Sequence, residues 1–148
     1  MSKSNNYCVI MAGGVGSRFW PMSTQKFPKQ FQDILGTGRT MIQQTYDRIS
    51  QIVPKENIYV ITNKEYVSLT EQQLPELKPQ NIVGEPMMKN TAACNIYMAN
   101  KIAAENPDAN MIVLPADHLI LKENNKKKKV ELAFNLASKN DYLITLGI

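Results

Sequence analysis

Three separated stretches of this chain carry residues suited to handling a phosphate group. The first is Met11-Ala12-Gly13-Gly14-Val15-Gly16-Ser17-Arg18, directly after the apolar run Tyr7–Met11. Three glycines in four positions, then a cation, suit neither a helix nor a strand interior. Glycine permits positive φ and leaves no Cβ in the way, so successive backbone N–H groups can converge on phosphate oxygens. Arg18 adds a planar, permanently charged fork. The second stretch is Phe27-Pro28-Lys29-Gln30-Phe31, where Lys29 is flanked by aromatics and held by a proline. The third is Pro115-Ala116-Asp117-His118, directly after the apolar run Met111–Leu114. A carboxylate at Asp117 suits Mg²⁺, which takes oxygen ligands and often holds one or two carboxylates plus phosphates. Taken singly, each has an ordinary reading: a strand-to-helix turn, a surface lysine, a helix N-cap. His118 has the chemistry of a base, but no nucleophile or partner carboxylate is evident for it, and a structural role is the simpler reading.

Other chemistries are disfavoured. A Rossmann turn needs a third glycine, and the register starting at Gly14 places Phe19 there; a Walker loop needs Gly-Lys-Ser/Thr, and Gly16 is followed by Ser17-Arg18. No Ser/His/Asp or Cys/His arrangement and no zinc spacing is evident. Cys8 and Cys94 lie inside apolar patterns and read as small core residues in a reducing compartment. The formal charge of +4 comes from 17 basic and 13 acidic residues, and the block Lys126–Lys129 accounts for all of the excess. That block is most simply a solvated helix face, so nucleic acid is not an expected partner. Residues Met1 to Asn6 are polar, and no stretch approaches the ~18 apolar residues of a membrane span. A cytoplasmic protein with no membrane contact is expected.

The elements that must position these residues follow from periodicity. Five short apolar runs have strand character: Tyr7–Met11, Ile58–Thr62, Ile82–Gly84, Met111–Leu114 and Tyr142–Leu146. They read as strands covered on both faces. Helical spacing places Met41, Ile42, Tyr46, Ile49 and Ile52 on one side of Thr40–Val53, and a shorter helix is expected over Glu65–Leu74. Asn90–Glu105 reads as a helix with Ala92, Ala93, Ile96, Tyr97, Ala99, Ile102 and Ala103 on its apolar face, and Asn90 or Thr91 as its cap. From about Lys126 to Ser138, Val130, Ala133, Phe134 and Ala137 share a face. Strands alternating with such helices predict a three-layer α/β/α domain with a Rossmann-like, mostly parallel sheet. At 148 residues the chain is one domain, able to bury roughly 70% of its unfolded surface. The connection from Ala12 to Arg39 has little periodicity, and so long a loop is usually functional. Ligands of open parallel sheets bind beyond the carboxyl ends of the strands. The glycine loop, Gly84–Thr91 and Pro115–His118 all fall at such ends, which points to one site.

These residues also carry a family resemblance. Met11-Ala12-Gly13-Gly14 with Gly16, Arg18, Trp20-Pro21 and Ser23, followed by Pro28-Lys29-Gln30-Phe31, resembles the signature of the mannose-1-phosphate guanylyltransferases, within the sugar nucleotidyltransferase superfamily. Glu85-Pro86, Lys89-Asn90-Thr91-Ala92 and Leu114-Pro115-Ala116-Asp117-His118 match its next motifs in order, and Leu143–Ile148 resembles the strand after them. The resemblance implies formation of GDP-mannose and pyrophosphate from GTP and mannose 1-phosphate, with Mg²⁺. It implies a loop from Met11 to Ser17, through Ala12, Gly13, Gly14 and Gly16, that wraps the triphosphate. Arg18 would pair with the departing phosphates, Lys29 would neutralise charge on the α-phosphate, and Asp117 would bind Mg²⁺. Glu85, Asn90 and Thr91 would lie near guanine and ribose. Family members continue past the Leu-Gly-Ile strand with an acceptor half. Residues 1–148 are therefore expected to be the nucleotide half of a C-terminally truncated nucleotidyltransferase fold, with little turnover alone. Another sugar phosphate or base, or a non-catalytic GTP-binding module, are the competing readings. A homo-oligomer is compatible with the sequence.

Overall fold

The computed structural model describes residues 4–14, 20–85, 90–120 and 123–147. The strands are β1 (Asn6–Met11), β2 (Ile58–Asn63), β3 (Ile82–Glu85) and β4 (Asn110–Pro115). They form one four-stranded parallel sheet in the order β3-β2-β1-β4. The helices are α1 (Met41–Ile49), α2 (Val67–Gln73), α3 (Asn90–Glu105) and α4 (Glu123–Ala137).

Because side chains alternate across a strand, β1 and β2 feed two cores. Cys8, Ile10, Ile58 and Val60 face one side, with Ile42, Tyr46 and Ile49 of α1, and Val130 and Phe134 of α4. Tyr7, Val9, Tyr59 and Ile61 face the other, against Cys94, Met98 and Ile102 of α3. The expected three layers follow: α1, α2 and α4 on one face of the sheet, α3 on the other. Both cysteines are free and buried, and burial pushes the Cys8 thiol far up. Among the described residues no helix is long and apolar enough to cross a membrane.

Two expectations need correction. The inward face of α3 is the i, i+4, i+8 stripe Cys94, Met98 and Ile102, whereas Ile96 is 64% and Tyr97 is 56% exposed. Helix α3 has apolar residues on more than one side, so composition alone does not choose the stripe that meets the sheet. The second correction is Tyr142–Leu146, which forms no strand. Strand propensity takes effect only through a paired neighbour, and this segment joins no ladder among the described residues. Tyr142, Leu143 and Ile144 are exposed, and only Leu146 packs on the core. For the same reason β4, paired with β1 alone among the described residues, is half-buried along its length and not covered on both faces.

The long connection before α1 is ordered chiefly by side chains bonding to backbone. Gln32 donates to the carbonyls of Met22 and Phe27, and Tyr66 Oη donates to the carbonyl of Gln25 at 2.8 Å. Asp33 accepts from the N–H groups of Thr37 at 3.0 Å and Gly38 at 2.6 Å. These bonds, that from Thr37 foremost, hold its carboxyl below the usual range. The turn they close needs positive φ at Gly36 (65°) and Gly38 (81°), which glycine adopts without steric cost. Arg39 then clamps Asp47 of α1 with a two-pronged pair at 2.9 and 2.6 Å. In β3, a Cβ on Gly84 would come within 2.8 Å of Val67 Cγ2 and 3.2 Å of Lys64 Cα, so only glycine lets α2 approach the sheet.

Candidate functional site at the carboxyl edge of the sheet

Parallel pairing brings the ends of all four strands to one edge: Met11 lies opposite Ile61 and Pro115, and Asn63 opposite Glu85. The glycine loop leaves β1 at this edge. Its first residue, Ala12, is buried and donates its N–H to the carbonyl of Ile61 at 2.8 Å. The Ala12 carbonyl accepts from Thr62 Oγ1 at 2.9 Å and from Gln30 Nε2 at 2.8 Å. The same Gln30 nitrogen donates to the Gly14 carbonyl at 2.8 Å, and the side chain is only 4% exposed. A trans peptide sets its N–H opposite its C=O, so tying the Ala12 carbonyl to the protein turns the Gly13 N–H away from it. A loop whose carbonyls are held inward offers its donors outward, which is what an anion needs. Gly16, Ser17 and Arg18, also expected here, lie outside the described residues.

Lys29 is set by its neighbours. Its backbone N–H donates to the buried Ser23 Oγ at 3.1 Å, and it opens the 3₁₀ turn Lys29–Phe31. Phe31, fully buried, closes that turn against Tyr66 in an edge-on contact with centroids 5.8 Å apart. Of the two aromatics that flank Lys29 in the sequence, Phe31 is therefore an anchor, whereas Phe27 is exposed. Lys29 Nζ lies 3.4 Å from Asp117 Oδ2, the two side chains being 17% and 44% exposed. The structure thus joins two of the expected catalytic residues across 88 positions of sequence.

The Asp117 turn is held on both sides. Ala116 donates its N–H to the Met11 carbonyl at 2.9 Å, and its own carbonyl accepts from Thr45 Oγ1 of α1 at 3.2 Å. Arg48 Nη2 donates to Thr45 Oγ1 at 2.7 Å and to the His118 carbonyl at 3.2 Å. His118 itself is exposed. Among the described residues no group of three or more carboxylate, thiol or imidazole side chains could hold a metal. Asp117 fits Mg²⁺ as a single, half-exposed carboxylate whose remaining ligands would be phosphate oxygens and water.

Glu85, Asn90 and Thr91 occupy the β3–α3 side of the edge. A Cβ on Gly13 would lie 3.7 Å from Glu85 Oε2, which puts that carboxylate beside the loop. Burial, and secondarily the Glu85 charge, push the Cys94 thiol up to about 11. Asn90 has a φ of 66°, a left-handed conformation that asparagine tolerates, and with Thr91 it is exposed at the first turn of α3.

Sequence reasoning missed Gln30, Thr62, Thr45 and Arg48. Gln30 stood inside a recognised motif without a role. Thr45 and Arg48 left one signal, polar residues three apart on the helix face that also carries Met41, Ile42 and Ile49. Replacing Gln30 by leucine removes both bonds to the loop and leaves the Gly14 carbonyl without this donor. The expected cost is about 1–3 kcal/mol of stability, read from urea unfolding, together with weaker nucleotide binding.

The nucleotidyl transferase family profile matches residues 7–148. Mannose-1-phosphate guanylyltransferase of Escherichia coli is 38% identical over 142 residues, covering 95% of this chain and 30% of that protein. Alginate biosynthesis protein AlgA of Pseudomonas putida is 36% identical over 142 residues, covering 95% of this chain and 29% of that protein. The crystal structure of a mannose-1-phosphate geranyltransferase from Thermus thermophilus superposes with a TM-score of 0.78 at 26% identity, over 90% of this chain and 38% of that one. The chain thus spans about 30% of the length of the curated relatives it matches. With its parallel sheet and phosphate-suited edge, this chain belongs to the nucleotidyl transferase family.

Proposed function

We propose that this segment supplies the GTP-binding and phosphate-activating half of a site that makes GDP-mannose from GTP and mannose 1-phosphate. The observation that carries the reading is the placement of Lys29 against Asp117 beside an inward-tied glycine loop. The sugar-phosphate oxygen forms a bond to the α-phosphorus, the bond to the β-phosphate bridging oxygen breaks, and pyrophosphate leaves. Little covalent work falls to the protein in such a displacement; positioning and charge neutralisation carry it. The loop from Ala12 holds the triphosphate through backbone donors, and Arg18 pairs with the departing phosphates. Lys29 offsets charge that builds on the α-phosphate. Bound Mg²⁺, held by Asp117, would neutralise phosphate charge. Glu85, Asn90 and Thr91 border the nucleoside. The acceptor half belongs to the region that the relatives have beyond this length. The free, buried cysteines suit a reducing cytoplasm, where we place the reaction.

Calorimetric titration of the 148-residue chain with the Mg²⁺ complexes of GTP, ATP and UTP tests the reading. GTP is expected to bind in the range of ~0.1–1 mM, at least about tenfold (about 1.4 kcal/mol) tighter than the other two. Equal affinity for all three, or preference for another base, would remove the guanylyl assignment.

A further inference from the structure

The block Lys126–Lys129 divides in the structure: Lys128 and Lys129 are exposed, whereas Lys126 and Lys127 are half-buried. The half-buried pair lines a cavity of about 120 Å³ between α1, the end of β4 and the start of α4. Arg48 enters the cavity from α1 with its side chain only 15% exposed. Leu114 and Val130 form part of its apolar wall. Three cations therefore meet in a space whose only lining carboxylate, among the described residues, is Glu123. That carboxylate lies 3.7 Å from Arg48 Nη1, a long and weak pairing, and its side chain is 56% exposed. The Lys126 ammonium makes no ion pair among the described residues. Burial lowers the proton affinity of Lys126, and the Arg48 charge lowers it further. Like charges gathered in a partly desolvated cavity are costly unless an anion offsets them. The cavity opens to solvent on one side and has room for a phosphate group.

We infer that this cavity is a second anion site, taking a phosphate group through Arg48, Lys126 and Lys127. It shares Pro115 and His118 with the Asp117 turn but is lined by no described residue of the glycine loop, and it does not depend on the guanylyl reading. Its position gives it a consequence: Arg48 also bonds to Thr45 and to the His118 carbonyl, so an occupant that draws on Arg48 acts on the turn that carries Asp117.

The probes are inorganic phosphate and glycerol 3-phosphate, titrated into the ¹⁵N-labelled chain at constant ionic strength. Saturable shifts are expected in the Arg48 Nε–H and in amides 123–127, with a Kd of roughly 1 mM. Arg48→Gln, and separately the pair Lys126→Gln/Lys127→Gln, are each expected to weaken binding about tenfold or more, as removal of charge-assisted bonds does. The double lysine variant lies on a helix surface and guards against a folding defect in Arg48→Gln. Lys29→Gln, which disables the nucleotide edge, is expected to leave these shifts in place. Tighter binding of glycerol 3-phosphate identifies a phosphorylated metabolite as occupant; equal binding identifies the free ion. The inference is overturned if neither probe saturates, or if the shifts survive the lysine double variant and vanish in Lys29→Gln.

Discussion

Replacing Lys29 by alanine is expected to slow nucleotidyl transfer about 10²–10³-fold, equivalent to about 3–4 kcal/mol of transition-state stabilisation. The assay is pyrophosphate release from GTP and mannose 1-phosphate, in a chain carrying the further region that the relatives have. The size follows from the environment. The Lys29 side chain is 17% exposed, so its charge acts with less screening than a surface lysine would. Its backbone is fixed through Ser23, and the turn after it is fixed by Phe31, so the ammonium comes pre-positioned. Lys29→Arg restores the charge but not the compact shape, and is expected to recover only part of the rate. In the 148-residue chain alone, Lys29→Ala should weaken GTP binding by less than it slows transfer, because the charge it meets develops mainly in the transition state. Near-normal turnover of the alanine variant would remove Lys29 from this role.

Asp117→Ala is expected to cause a rate loss of the same order, ~10²–10³-fold, in the same assay. Its signature differs from that of Lys29→Ala in its dependence on Mg²⁺. Rising Mg²⁺ should recover part of the activity, because the lost group is one ligand among several supplied by phosphates and water. Asp117→Asn should behave like the alanine variant, since the charge is removed while the shape stays. Neither change should unfold the protein. The Lys29–Asp117 contact is long at 3.4 Å and Asp117 is 44% exposed, so the pair contributes no more than about 1 kcal/mol to stability. A loss of activity matched by a large loss of thermal stability would make Asp117 a structural residue.

The parts of this molecule legible in the sequence are those set by repetition over short distances. The continuous apolar runs Tyr7–Met11 and Ile58–Thr62, and helical spacing in Thr40–Val53 and Lys126–Ser138, gave the layers and the faces. The glycine loop and Asp117 were legible because strand ends in a parallel sheet collect at one edge. What was not legible depends on tertiary choice. Helix α3 carries apolar residues on several sides, and contact with Tyr59 and Ile61 selects Cys94, Met98 and Ile102. Tyr142–Leu146 has strand composition but forms no strand without a neighbouring ladder. Gln30 illustrates the same limit at the site. Its type is ordinary, and its role comes from reaching two carbonyls, 18 and 16 positions away, that no local pattern links to it. Lys126 was read with its three neighbours as a solvated face, and only the position of α1 separates it from Lys128.

The bonds that hold the Asp117 turn have a kinetic consequence. Lys29, Thr45 and Arg48 reach Asp117 and its flanking carbonyls across 88, 71 and 70 positions of chain. None of these contacts can form before the crossover that lays β4 beside β1, and closing such loops is entropically opposed until the sheet returns the gain. The carboxyl edge of the sheet is thus expected to be among the late assemblies of this chain. On the proposed reading, nucleotide titration is expected to count only those molecules in which β1 has gained both β2 and β4 as neighbours.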